Sequence, residues 1–428
     1  MIIRGKKKIL LLVLFLLSVT ILILGCDKQN ENKIKVDDPA SSNNEPVIHE
    51  EQPEEKNKLS GVLLGIKSKN ENYDKVRYDT LNSKEEKKPQ YKTLYITNNN
   101  GNITLSTQGS GILVPRNDEF WLLNIETERL KDKYKDFDYK SNVDFISAKN
   151  VDCGSVKESI RKYSPQELAK KWREYYGTED PKQCNYNIWL ELIFVGNDYI
   201  TQKVSNYGYT GGPQIRNFNW LMTIPFNETN KIDVFDNDIR EFEGRNADTE
   251  VKEVSISELL GNDAKTQLLK EGNAYLVNNE ITYLYASDCF GFFRQSGKWV
   301  VKGYLLFNSG CGRGLYEIFD TNINPTEQIV NHDILIPNWN VIKTLIPDAK
   351  DAFSSPEKDM LIILTPKELR VYTDFKDDYI GEVAYVIDLG DIVDLEEKKE
   401  VDVIMAQWAT GNYVEKWSNE AKKYLNVN

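Results

Sequence analysis

Two histidines in 428 residues is the deficit that excludes most. A histidine-rich metal centre or a triad built on an imidazole base has almost nothing to draw on. His49 lies in a polar stretch, so a folded region beyond it has only His332. That residue sits in Asn331-His332-Asp333, ahead of the apolar run Ile334 to Ile336, and reads as a loop histidine. No Gly-x-Ser-x-Gly elbow is present, and no CxxC pair. A phosphate cradle needs a glycine-rich loop running into a helix. Gly310-Cys311-Gly312-Arg313-Gly314 lies between strand-like segments and reads as a tight turn instead. Positive charge is also short: 54 Lys and Arg stand against 66 Asp and Glu, for a net charge of -12. Such a chain is a poor match for nucleic acid, whose binding depends on neutralising phosphates. Hydrophobic residues at 40% and charged residues at 28% indicate a globular chain, neither disordered nor polytopic in a membrane.

What is present begins at the N-terminus. Arg4, Lys6, Lys7 and Lys8 precede an apolar run from Ile9 to Leu24, broken only by Ser18 and Thr20. Ile23-Leu24-Gly25-Cys26 then closes the segment. A basic start, an apolar core and a small residue before the cut are the parts of a secretory signal. Cys26 directly after Gly25 resembles a bacterial lipobox. The resemblance implies removal of residues 1–25, diacylation of Cys26 and attachment to the extracytoplasmic face of the cell membrane. The alternative is an uncleaved transmembrane anchor. Four cysteines remain, Cys153, Cys184, Cys289 and Cys311. An even number in an exported chain suggests two disulfides. Of the three pairings, Cys153–Cys184 and Cys289–Cys311 close the short loops and are favoured over four reduced thiols. No metal or cofactor is expected.

From Asp27 to Lys58 the chain is rich in Asn, Glu, Asp, Lys and Pro, which reads as a disordered linker. Residues 59–428 read as a mainly β region with a possible sub-boundary near 150–185. Apolar and β-branched runs recur at Tyr91–Thr97, Ile188–Val195, Trp299–Phe307, Met360–Leu364 and Val401–Trp408, separated by Gly, Asn and Asp clusters. About twenty short antiparallel strands at this spacing suit a β-propeller-like arrangement, or alternatively two β-rich α+β domains. Helices are few. Ser164-Pro165-Gln166-Glu167 is a capping box opening a helix that stops at Gly177. Ser257 to Lys270 reads as one or two short helices around Gly261, and Asn340 to Leu345 as a turn or two. The tail reads as an amphipathic helix with Tyr413, Trp417, Ala421 and Tyr424 on one face.

Carboxylates are the chemistry that composition cannot dismiss, since a glycosidase needs only two of them across a cleft. Asp348 and Asp351, and the cluster Asp236, Asp238, Glu241 and Glu243, are the candidates. That cluster lacks the ligand spacing of an EF-hand. Trp189 and Trp299 sit within apolar strand patterns and read as core. Tyr207, Tyr209 and Trp220 instead flank Gly211 and Gly212. Glycines let backbone approach a partner closely, and aromatics supply contact area.

Tyr209-Thr210-Gly211-Gly212-Pro213 followed by Asn217-Phe218-Asn219 resembles an element in the external domain of lysozyme-sensing anti-sigma factors and related secreted proteins. There a Tyr-Thr-Gly-Gly-Ala-His stretch follows one strand and precedes another. Ile256 to Leu260 resembles the short helix that comes after it. Pro213 and Gln214 replace the Ala-His of that family, and only eight residues precede the apolar run, so no sigma-binding role is carried over. Pro347 to Asp359 and Met405 to Trp417 resemble uncharacterised Gram-positive lipoproteins. The expectation is a lipid-anchored, non-catalytic binding or accessory module of the cell envelope, with an envelope protein or glycan as partner. Its alternative is a carboxylate-dependent glycan hydrolase.

Overall fold

The computed structural model describes residues 59–70, 88–134, 137–150, 184–210, 215–226, 254–282, 284–307, 317–393 and 399–425. The leader with Cys26, the linker, the Ser164–Gly177 helix, the sub-boundary near 150–185, the acidic cluster at 236–243 and the Gly310–Gly314 turn lie outside them. Glu55–Asn428 forms one compact unit.

Nineteen strands and five helices are found among the described residues, in five separate sheets. The mainly β expectation with few helices therefore holds. Among the described residues the sheets hold six, four, four, three and two strands rather than a repeated set of four. Nor are all strands short: two of them run for 16 and 14 residues.

The first four-stranded sheet has β1 (Leu59–Asn70) between β19 (Lys399–Thr410) and β2 (Gln90–Asn99), with β3 (Asn102–Ser110) beyond. Strand β1 is buried on both faces, and its alternation divides its side chains between two cores. Val62, Leu64 and Ile66 join Ile362, Leu369 and Val371. Leu63 joins Ile112, Leu123 and Leu192 on the other side. Positive φ at Asn100 and Gly101 makes the two-residue turn between β2 and β3.

The six-stranded sheet runs in chain order through β4 (Ile112–Arg116), β5 (Glu119–Tyr134), β6 (Phe137–Asn150), β7 (Cys184–Val195), β8 (Tyr199–Thr210) and β9 (Ile215–Pro225). One pairing departs from the antiparallel expectation. Strands β6 and β7 are parallel, with Asn142 opposite Asn187 and Val143 opposite Ile188. A parallel pair cannot be joined by a hairpin, which fits the long connection between them. The buried carboxylate of Asp144 pins this junction, accepting from Leu190 N at 3.3 Å and Thr127 Oγ1 at 2.7 Å.

The three-stranded sheet of β10 (Leu284–Gln295), β11 (Lys298–Phe307) and β12 (Glu317–Asp320) packs against α1 (Ile256–Leu260) and α2 (Asn262–Asn278). The helices divide at Gly261, whose φ of +89 breaks the helical path. Ser255 caps α1: its Oγ accepts from Glu258 N at 3.2 Å while Glu258 Oε2 accepts from Ser255 N at 3.3 Å. Gly303 is required by packing, because a Cβ there would lie 2.2 Å from Phe319 Cζ.

The second four-stranded sheet orders β13 (Asp351–Ser354), β14 (Leu361–Leu364), β15 (Glu368–Tyr372) and β18 (Tyr385–Asp388). The short β16 (Phe375–Lys376) and β17 (Tyr379–Ile380) lie between β15 and β18 in the chain, and α3 (Trp339–Leu345) and α4 (Leu389–Ile392) pack beside this sheet. The last helix, α5 (Asn412–Leu425), buries Val414, Ala421 and Leu425, with Trp417 and Tyr424 partly covered. Tyr413 is 54% exposed, so it does not belong to the buried face predicted for it. Val414 takes that position, three residues before Trp417, and its carbonyl accepts from the buried Tyr95 hydroxyl at 2.7 Å.

Arg294 ties the three-stranded sheet to the sheet of β13. Its Nε and Nη2 donate to the two oxygens of Asp351, each at 2.9 Å, and Nη1 donates to Asp333 at 2.8 Å. The guanidinium also lies 4.2 Å from the Phe353 ring centroid. Arg294→Ala would leave the buried Asp351 carboxylate without its cation. The expected cost is about 3–5 kcal/mol, read as a lowered urea midpoint. Arg294→Lys should recover only part of it, because an ammonium cannot make the two-pronged contact.

Candidate functional site

The site begins with two cross-strand charge pairs. Lys67 on β1 is in register with Asp402 on β19, and Glu191 on β7 is in register with Lys203 on β8. Opposite charges at such positions stabilise a sheet modestly. Here the two pairs also meet each other. Lys67 Nζ lies 2.9 Å from Glu191 Oε1 and 3.1 Å from Asp402 Oδ2. Lys69 Nζ reaches the same Glu191 oxygen at 3.4 Å. Glu191 is only 1% exposed.

These groups border a pocket of about 380 Å³, with Lys203 and Arg294 also on its wall. Ile193, Phe293, Ile318, Val403 and Ile404 supply its apolar surface. A bulge in β19 helps to shape it. The register passes from Gly65 opposite Met405 to Ile66 opposite Val403, so Ile404 is the extra residue. A bulge breaks strand alternation, and the consecutive residues Asp402, Val403 and Ile404 all border the pocket.

Burial opposes both charges of the central pair, and their mutual attraction overrides it. Burial alone would lower the Lys67 pKa, but Glu191 and Asp402 hold it above that of an ordinary lysine. Burial alone would raise that of Glu191, but Lys67, Lys69 and Lys203 hold it well below the usual carboxylate range. Glu191 Oε2 is fully buried and has no hydrogen-bond partner among the described residues.

A carboxylate held ionised in this way is a poor proton donor, and a glycosidase acid needs the reverse shift. The carboxylates singled out from the sequence fare no better. Asp351 is engaged by Arg294 through both oxygens, while Asp348 is paired with Arg370 at 3.4 Å. Among the described residues no group of three His, Cys, Asp or Glu side chains could hold a metal ion. No described helix is long and apolar enough to cross a membrane.

Tyr207 and Tyr209 lie on β8 opposite Asn217 and Ile215, and Trp220 lies on β9 opposite Val204. In register terms the Trp220 position is out of phase with the two tyrosine positions. Gly211 and Gly212 lie outside the described residues, between the end of β8 at Thr210 and the start of β9 at Ile215. Among the cysteines, Cys153 and Cys311 lie outside the described residues and Cys184 begins β7. Cys289 is half-buried beside Leu221, Tyr304 and Leu306, and no disulfide is found among the described residues. His332 is a loop residue whose Nε2 donates to the Ser354 carbonyl at 2.9 Å; burial lowers its pKa, and that bond partly offsets the effect. Trp299 is core, whereas Trp189 is only half-buried.

Sequence reasoning passed over Lys67, Lys69, Glu191 and Lys203. A signal existed for one of them: Glu191 is the sole charge in the run Trp189-Leu190-Glu191-Leu192-Ile193-Phe194-Val195. A carboxylate buried in such a run demands a cation from elsewhere.

No family model matches the chain, and no curated protein matches it either. Two solved structures are similar to part of it. One is a DUF3298 family protein from Pseudomonas aeruginosa PAO1, 12% identical with a TM-score of 0.26, the match covering 46% of this chain and 90% of that one. The other is a DUF3298 family member from Bacteroides fragilis NCTC 9343, 9% identical with a TM-score of 0.28, covering 48% and 91%. Likeness at this level carries no functional argument.

Removing Lys67 strands a buried carboxylate, although Lys69 and Lys203 stay beside it. Lys67→Ala is expected to cost about 3 kcal/mol in chemical denaturation. The depressed pKa of Glu191 fixes the sign of its pH dependence. Its stabilising contribution is complete above the ordinary glutamate value of 4.5 and is lost as pH falls below it. Glu191→Gln should therefore show a flatter fall in stability below that pH than the wild type.

Proposed function

We propose that the protein is a non-catalytic binding module of the bacterial cell envelope, tethered to the extracytoplasmic face of the membrane through diacylated Cys26. The observation that carries the binding role is the pocket of about 380 Å³ with buried charge in its wall. Pockets that hold small molecules combine apolar lining with a few placed polar groups, and shifted pKa values cluster at such sites. Buried ion pairs contribute little net stability against apolar packing, so their presence beside a cavity favours a role beyond folding. The tether rests on the leader pattern and on Cys26 following Gly25. Tyr207, Tyr209, Gly211, Gly212 and Trp220 remain candidate contacts for an envelope protein partner, with the Trp220 position out of phase with the two tyrosines. An exported chain also meets an oxidising compartment, which favours the pairings Cys153–Cys184 and Cys289–Cys311.

The tether is tested by labelling cells with a palmitate analogue and fractionating them. The wild type should carry the label in the membrane fraction. Cys26→Ser should carry none and should not be processed. A wild type that takes no label, or a serine variant processed and labelled like it, refutes the anchor.

A further inference from the structure

We propose that the outer edge of β18 takes up a short, basic, extended peptide as an added strand. None of the residues of β18 lines the pocket, so this surface goes beyond the binding role argued there.

The sheet of β13, β14, β15 and β18 finishes its two edges differently. All four residues of β13 are buried. The carbonyls of Ala352 and Ser354 accept from Arg294 Nη2 and His332 Nε2, each at 2.9 Å. Strand β18 has β15 on one side and, among the described residues, no strand on the other. Leu389 N donates to Lys367 O at 2.9 Å, in step with Ile387 opposite Leu369 and Tyr385 opposite Val371. Antiparallel alternation then turns the Val386 N–H and C=O outward, away from β15. Such outward groups are a template for another strand, and proteins guard them with lysine, proline or a covering element. From Val383 to Asp388 there is neither Lys nor Pro. Val383, Tyr385 and Val386 are instead 41%, 37% and 48% exposed. Tyr385 and Val386 point to opposite faces, so an added strand finds an apolar neighbour on each. The four residues of β18 limit the match to a short segment.

Charge selects the occupant. Between Asp374 and Asp391 the carboxylates of Asp374, Asp377, Asp378, Glu382, Asp388 and Asp391 stand against Lys376 alone. All seven residues are exposed. None of the six carboxylates is held in a salt bridge among the described residues. A second copy of the chain would bring the same carboxylates against each other, and like charges facing across a strand pair are destabilising. A basic partner meets them favourably, while its apolar side chains pack beside Tyr385 and Val386.

The test is fluorescence anisotropy on the full chain in detergent, with a labelled octapeptide of alternating Lys and Val. It should bind at least about tenfold tighter than two controls. One control alternates Glu and Val; the other is the Lys–Val peptide methylated at every backbone nitrogen. Val386→Pro removes the outward N–H at an edge position that tolerates proline. It should weaken binding about tenfold with the melting temperature retained. Hydrogen–deuterium exchange on the wild type needs no variant: segment 383–388 should exchange more slowly once the Lys–Val peptide is added. Equal binding by the methylated peptide means attraction by charge alone and overturns the inference. Protection that misses 383–388 overturns it too, as does undiminished binding to a folded Val386→Pro variant. A wild-type dimer in sedimentation that Val386→Pro dissolves also overturns it, because a second copy then holds the edge.

Discussion

A carboxylate buried within a sheet must meet a cation, and Glu191 on β7 meets Lys67 on β1 only because the sheets that hold these strands pack together. The two residues of the ion pair are 124 positions apart in the chain. Asp402, which shares the lysine, is farther still. Their meeting requires β1 to be hydrogen-bonded to β19 on one side and to β2 on the other, and to face β7 across the core. Partial assembly would leave one of these charges desolvated and unmatched, which is costly. The cluster thus rewards only the complete arrangement, and the pocket forms together with the packing of the sheets around β1.

Arg294 extends this dependence to the other side of the pocket wall. It contributes to the lining, yet its hydrogen bonds run away from the pocket to Asp333, Asp351 and the Ala352 carbonyl. Trp299 N donates to the second oxygen of Asp333 at 2.7 Å, which fixes that carboxylate in turn. The wall is held from behind by β13 and by the loop carrying His332 and Asp333. Pocket shape and the docking of two sheets are consequently one mechanical matter.

Much of the fold was legible from alternation and turn chemistry. Strands such as β2, β11 and β14 lie within a few residues of the runs that announced them, because each run alternates or is wholly apolar between clear turn residues. The split at Gly261 and the short α3 were equally readable. The parallel pairing of β6 and β7 was not, since local sequence says nothing about strand direction once a long connection intervenes. Tyr413 misled because a three-and-four spacing admits two neighbouring faces, and only packing chooses between them. The pocket was illegible for a related reason. Lysines alternating in a strand look like a solvated face, and only the tertiary arrangement shows that Lys67 and Lys203 point inward. The residues chosen from the sequence, Tyr207 to Trp220, came from glycine and aromatic content, which does not report buried charge.

The bulge at Ile404 has a consequence for how this gene can change. Removing that one codon would restore a regular ladder between β1 and β19. Ile66 already stands opposite Val403 and Lys67 opposite Asp402, so the residues from Lys399 to Val403 would keep their partners and their faces. Asp402 would stay beside Lys67, and Val401 and Val403 would stay in the core they share with Val62 and Ile66, while the pocket wall would lose Ile404. Change at position 404 is thus a matter of volume, whereas deletion at a paired position of β19 is a matter of phase. The length of β19 is therefore less constrained at position 404 than at its paired neighbours.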